Sequence, residues 1–284
     1  MKYKENHSKK TLNCRGKILT IDRPLVMGII NATPDSFYSE SRISENMVVS
    51  MINQMLTEGA DILEVGGYSS RPNGKHISVE EEIKRVVPVV KNIRKHDQNV
   101  LISLDTFRSE VLLACLEFGI DFVNDISGGK LDTGLPELAG KHTIPYIAMH
   151  MKGTPQTMIS ECNYANLLLE INSYFSERIS SLKACGIHDI IIDPGFGFSK
   201  NLDQNFELLA QMSQLQIHRC TVLAGLSRKS MIYKTLDTTA ENALNGTTAL
   251  HMTALQNGAK ILRVHDVKEA KETIQLYEKL SKFS

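Results

Sequence analysis

Short apolar runs recur along the chain, separated by longer stretches in which apolar residues return every three to four positions. The runs fall at residues 25–31, 61–67, 100–105, 121–126, 145–150, 189–193, 221–227 and 260–265. Near-continuous apolar character over so few residues is the pattern of strands buried on both faces. The intervening periodicity predicts helices over 47–57, 79–95, 109–118, 135–141, 164–185, 202–214, 239–256 and 267–282. Glycines at 59, 119, 186 and 258 close four of them. Eight strands, each followed by a helix, predict a parallel sheet covered by helices. A closed (β/α)8 TIM barrel of class α/β accounts for eight repeats better than an open doubly wound sheet. No Gly-x-Gly-x-x-Gly follows the first strand, and Gly195-Phe196-Gly197 is too short for that motif. Residues 13–22 read as a hairpin leading into the barrel. Residues 1–12 are expected to be a flexible leader, and 13–284 one domain.

Composition narrows the partners. The chain has 32 Lys+Arg against 32 Asp+Glu, so no global field favours nucleic acid or an anionic membrane. No stretch reaches the roughly 20 apolar residues of a membrane span, and no signal-type apolar core follows the basic start. The five cysteines are scattered, without a Cys-x-x-Cys pair, which suits a reduced, cytoplasmic protein.

Barrel chemistry gathers at the C-terminal ends of the strands. There the chain places Asn31; Ser69, Ser70 and Arg71; Asp105; Asn124 and Asp125; Met149 and His150; Asp193; Ser227, Arg228 and Lys229; and Arg263 and His265. Inward carboxylates and an amide suit a flat heterocycle with amino and amide edges. Ser70, Arg71, Arg263 and His265 suit phosphate or diphosphate, for which arginine supplies forked donors. Asn31 opens a polar loop through Phe37 in which Pro34-Asp35-Ser36 would also serve as an ordinary turn. Lys229 has a second reading as a Schiff-base lysine, and the run Glu80-Glu81-Glu82 reads as a solvated first helical turn.

Eight motifs sit on those strand ends in chain order: NATPDSF, GGYSSRP, SLDTFRSEV, VNDISGG, MHMKGTPQTM, DPGFGF, GLSRKSMI and RVHDV. Together they resemble dihydropteroate synthase, from about Leu25 to the C-terminus. The resemblance implies condensation of 6-hydroxymethyl-7,8-dihydropterin diphosphate with 4-aminobenzoate, with Mg2+ on the diphosphate. It implies a catalytic set of Asn31, Asp105, Lys229, Arg263 and His265. Pterin would be held by Asp105, Asn124, Met149, Asp193, Phe198, Gly225, Lys229 and Arg263, and diphosphate by Asn31, Ser70, Arg71, Arg263 and His265. Aminobenzoate would lie near Phe37, Ser70, Pro72, Phe198 and Ser227, and Asn31 would touch the metal. A homodimer through the last helices is also implied.

Departures from the family pattern are Glu64 where Asp is common, Tyr68 for a frequent Glu, Ser70 for Thr, Pro72-Asn73-Gly74, and Tyr38 to Ser41 without a glycine pair. Two alternatives remain: a pterin-dependent methyltransferase barrel, against which the TPDSF loop and the Arg228-Lys229 pair speak, and a non-catalytic pterin-binding barrel.

Overall fold

The computed structural model describes residues 10–32, 42–70, 76–158 and 160–283, with side chains from residue 47 onward in the first helix. Strands β1 (Lys10–Cys14) and β2 (Lys17–Ile21) form an antiparallel hairpin. Eight parallel strands follow: β3 (Leu25–Asn31), β4 (Ile62–Gly66), β5 (Leu101–Asp105), β6 (Phe122–Asp125), β7 (Tyr146–Met149), β8 (Ile190–Asp193), β9 (Thr221–Ala224) and β10 (Ile261–Val264). They close in sequence order, β10 pairing with β3, so the predicted TIM barrel is the observed fold.

The α-helices among the described residues are α1 (Arg42–Glu58), α2 (Val79–His96), α3 (Ser109–Cys115), α4 (Gly134–Lys141), α5 (Leu167–Ala184), α6 (Leu202–Ala210), α7 (Ser230–Thr235), α8 (Leu244–Gln256) and α9 (Val267–Ser281). Local chemistry sets several starts. Ser78 accepts from the Glu81 amide at the head of α2, and Asn201 and Gln204 form a reciprocal capping box on α6. Asn166 caps α5, which therefore begins at Leu167 rather than at the expected Tyr164. The helix expected over 239–256 starts only at Leu244, and α7 is an additional short helix.

The hairpin starts at Lys10, so Lys10 to Leu12 belong to a strand rather than to the leader. Leu12, Cys14 and Ile21 bury against Leu25, Met27, Phe122, Ile147, Ile191 and Ile261, residues from the entry halves of the barrel strands. Arg15 Nε donates to Asp121 at 2.7 Å and the Asn13 amide to Asp189 at 2.7 Å, which fastens the hairpin across that end. The hairpin plugs the floor of the barrel and leaves the opposite mouth for ligand. No described helix is long and apolar enough to cross a membrane.

Candidate active site

Of the strand-end polar residues, Asp105, Asn124 and Arg263 come together around a hub that the strand-end reasoning did not include. Glu64, midway along β4 and 1% exposed, accepts from Arg263 Nε and, at 2.7 Å, from Asn124 Nδ2. Arg263 Nη2 donates to Asp105 Oδ2 at 2.7 Å. Asp105 and Asn124 are register partners on neighbouring strands. One network thus links β4, β5, β6 and β10 across the barrel. Two carboxylates share one guanidinium, and burial, with Glu64 adding repulsion and Arg263 opposing it, pushes the Asp105 carboxyl up to about 7.

Asp193 and Lys229 face the same space. A Cβ on Gly225 would lie 3.8 Å from Asp193 Oδ2, 3.9 Å from Arg263 Cδ and 3.9 Å from Lys229 Nζ. The Asp193 carboxylate, the Lys229 ammonium and the Arg263 side chain therefore converge on the space in front of Gly225. Lys229 Nζ donates to the Phe196 carbonyl and stands 4.6 Å from the Phe198 ring centroid. Burial draws its ammonium down to about 8, with Asp193 opposing, and burial raises the Asp193 carboxyl above its ordinary range. Met149, Ile126, Met151 and Met158 form an apolar cluster with Phe198 and Phe107 packed on it, a wall suited to a flat ring.

Ser227 Oγ and His265 Nδ1 are 3.0 Å apart, and the His265 amide donates to Ser227 Oγ at 3.1 Å. His265 and Asn31 are exposed, and Ser69 and Ser70 are half-buried. Phe37, Arg71 and Pro72 lie outside the described residues.

Two strand-end candidates have structural duties instead. Asp125 accepts from Tyr146 Oη at 2.6 Å, from the Ser127 amide and hydroxyl at 2.7 Å each, and from the Gly129 amide at 2.5 Å. Its oxygens are spent on folding the loop after β6. Arg228, at φ 54°, makes two 2.8 Å hydrogen bonds to Asp266 and one of 3.0 Å to the Ala240 carbonyl, which occupy its guanidinium.

Residues 27–265 match the family model described as pterin binding enzyme. The chain is 40% identical over 271 residues to the dihydropteroate synthase of Escherichia coli K12, covering 94% of this chain and 95% of that one. The chain belongs to the dihydropteroate synthase family. The Haemophilus influenzae member is 37% identical over 270 residues, covering 94% of this chain and 98% of its own length. The Yersinia pestis dihydropteroate synthase, solved in complex with a sulfonamide drug, superimposes with a TM-score of 0.90 at 36% identity, covering 96% of this chain and 100% of that one. The Xanthomonas albilineans enzyme with 4-aminobenzoic acid gives 0.88 at 35% identity, covering 96% and 99%.

Within this family member, two charged residues at the site escaped the strand-end reading. Glu64 is the lone acidic residue inside the apolar run Ile62 to Val65, and a carboxyl side chain in a buried strand is itself a signal. Lys200, in the loop after β8, is 7% exposed and donates to the Gly195 and Phe198 carbonyls at 3.1 and 3.0 Å. Its acceptors are backbone atoms and one histidine, so no charge pairing in the sequence announces it.

Proposed function

We infer that this chain is a dihydropteroate synthase, a transferase of folate synthesis that joins dihydropterin diphosphate to 4-aminobenzoate. The observation that carries the reading is the convergence of Asp193, Lys229 and Arg263 around Gly225, beside the Asp105–Asn124 pair and under an apolar wall. In this reading Asp193 accepts from the amino-pyrimidine edge, Lys229 donates to the pterin carbonyl, Arg263 lies against the ring, and Asp105 and Asn124 complete the base contacts. Met149, Phe198 and Gly225 shape the slot. Asn31, Ser70, Arg71, Arg263 and His265 receive diphosphate, and Ser70, Phe198 and Ser227, with Phe37 and Pro72, receive aminobenzoate.

The bond from the pterin CH2 to the diphosphate oxygen breaks, the amine nitrogen of aminobenzoate bonds to that carbon, and the amine proton is released. An electron-rich dihydropterin delocalises the developing cation, so the substitution is dissociative, and the neutral aromatic amine needs no strong general base. Water exclusion at the mouth protects the cation from capture. Mg2+, when bound, neutralises charge on the departing diphosphate. Among the described residues no group of three or more His, Cys, Asp or Glu forms a metal cage. A single exposed amide oxygen at the end of β3 fits an ion carried in by substrate phosphate, because Mg2+ keeps several of its waters.

The homodimer belongs to the same proposal: Leu276, Leu280 and Phe283 stand 52–81% exposed at helical spacing near the C-terminus. A cytoplasmic location is supported by free thiols at Cys14, Cys115, Cys162, Cys185 and Cys220. The function is tested by incubating the protein with dihydropterin diphosphate, 4-aminobenzoate and Mg2+. Equal amounts of dihydropteroate and diphosphate are expected; folded protein that releases neither overturns the reading, and pterin binding without turnover points to a non-catalytic barrel.

A further inference from the structure

Glu64 does more than neutralise Arg263. A carboxylate only accepts hydrogen bonds, so the Asn124 amide must turn its NH2 toward Glu64, which it meets at 2.7 Å. That choice sends the amide oxygen the other way. Asn124 is 3% exposed, and its Oδ1 is buried without a hydrogen-bond partner. Buried acceptors are rarely left unpaired in native proteins, and one left so beside a ligand site points to a donor that the ligand brings. The register neighbour Asp105 and, across the mouth, Asp193 also present oxygens. The acceptor array therefore matches a ring edge rich in N–H groups.

The second Glu64 oxygen fixes the arrangement. It holds Arg263 Nε while Asp105 holds Nη2 at 2.7 Å, so the Nε/Nη2 edge of the guanidinium is anchored on two carboxylates. The Ser103 hydroxyl stands 3.5 Å from Oε1, on the Asn124 side of the carboxylate. Glu64 is thereby wedged between two donors that cannot both be met by anything but an acceptor-only group.

We propose that Glu64 is a positioning residue that sets which edge of the Asn124 amide faces the heterocycle, and so makes the site select rings that donate hydrogen bonds there. The proposal rests on the pterin reading above. In Glu64→Gln one oxygen becomes an NH2. Facing Arg263 Nε it would oppose donor to donor, so it faces Asn124, whose amide then turns and offers NH2 to the ligand. The mutation acts without deleting a ligand contact. Adding Asn124→Asp restores an oxygen on both sides of that position, because Asp accepts on either edge.

The test is calorimetric titration of the full chain with pterin, the 2-amino-4-oxo ring, and with lumazine, its 2,4-dioxo counterpart. Wild type is expected to favour pterin; Glu64→Gln should bind pterin about tenfold or more weaker, the scale of one buried hydrogen bond replaced by a donor clash. It should also narrow the preference over lumazine. Glu64→Gln/Asn124→Asp should recover to within about threefold of wild type, as should Glu64→Asp, which keeps an acceptor-only group. If Glu64→Gln fails to fold, a folded Glu64→Gln/Asn124→Asp that binds pterin about tenfold or more weaker than wild type overturns the proposal, and one within about threefold supports it. Unchanged pterin affinity in Glu64→Gln overturns the proposal, as does a double variant weaker than the single one, the result expected of a purely structural role. Wild-type protein that binds pterin but makes no dihydropteroate counts against the synthase reading and leaves this comparison intact.

Discussion

Lys200 Nζ lies 3.0 Å from His150 Nδ1, in the interior beneath the loop that carries Phe196 and Phe198. The histidine must accept there, so it is neutral with its proton on Nε2; burial, reinforced by Lys200, holds its pKa well below the ordinary imidazole range. Together with the Gly195 and Phe198 carbonyls, His150 uses all three ammonium donors. His150, a candidate ligand residue by position, is instead an anchor for the loop that bears the ring wall.

This anchoring gives a pH signature. Burial, augmented by the Lys229 charge and opposed by Asp193, draws Lys200 from 10.5 down to about 7. A lysine depressed on folding costs stability while the native state must hold its proton. Between about 7 and 10.5 the unfolded chain binds more protons than the folded one, so this cost is relieved as pH rises. Urea unfolding of wild type and Lys200→Met across that window should show the wild type gaining on the variant with increasing pH. A constant difference would mean that Lys200 is not depressed.

Arg228 and Asp266 are predicted to act as a unit. The pair is partly exposed, 25% and 18% at the side chains, so its direct worth in stability is about 0.5–1 kcal/mol. Its larger effect falls on Lys229, the next residue, whose approach to the mouth depends on Arg228 holding its left-handed φ of 54°. Arg228→Ala and Asp266→Ala should each lower kcat/KM for the pterin substrate by about tenfold, and the double variant should be no worse than either single one. Additive losses in steady-state kinetics would separate the two residues.

Asn31→Ala should raise the Mg2+ concentration needed for half-maximal rate, by about fivefold or more, while leaving pterin affinity unchanged, since one ligand oxygen among several is removed. A magnesium titration of the rate, beside pterin calorimetry, checks both halves. An unchanged magnesium requirement would remove Asn31 from the diphosphate side.

Much of this was legible because a parallel barrel is a repeat: once eight apolar strands are counted, their last residues are the mouth. Asn31, Asp105, Asn124, Asp193 and Arg263 follow from that count. Asp125 and Arg228 look equivalent in sequence to their neighbours Asn124 and Lys229. What separates them is where their partners stand: Tyr146 and Ser127 claim the Asp125 carboxylate, and Asp266 claims the Arg228 guanidinium. Glu64 lies two residues before the end of its strand, deep enough to reach Arg263, 199 positions away. Lys200 meets backbone carbonyls, which carry no residue identity. Helix starts shifted where a cap decided them, as Asn166 did for α5.

The central claim is that this mouth reads a pterin through Asp193. Titration of pterin into wild type and Asp193→Asn tests it most directly. The buried carboxylate faces Lys229 and has one oxygen already satisfied by the Gly195 amide at 2.8 Å, leaving the other for the ring. Asp193→Asn should weaken pterin about tenfold or more, because the ring's N–H edge then meets an NH2 donor in place of an acceptor oxygen, with the fold intact by circular dichroism. Equal affinity for the two proteins would contradict the assignment.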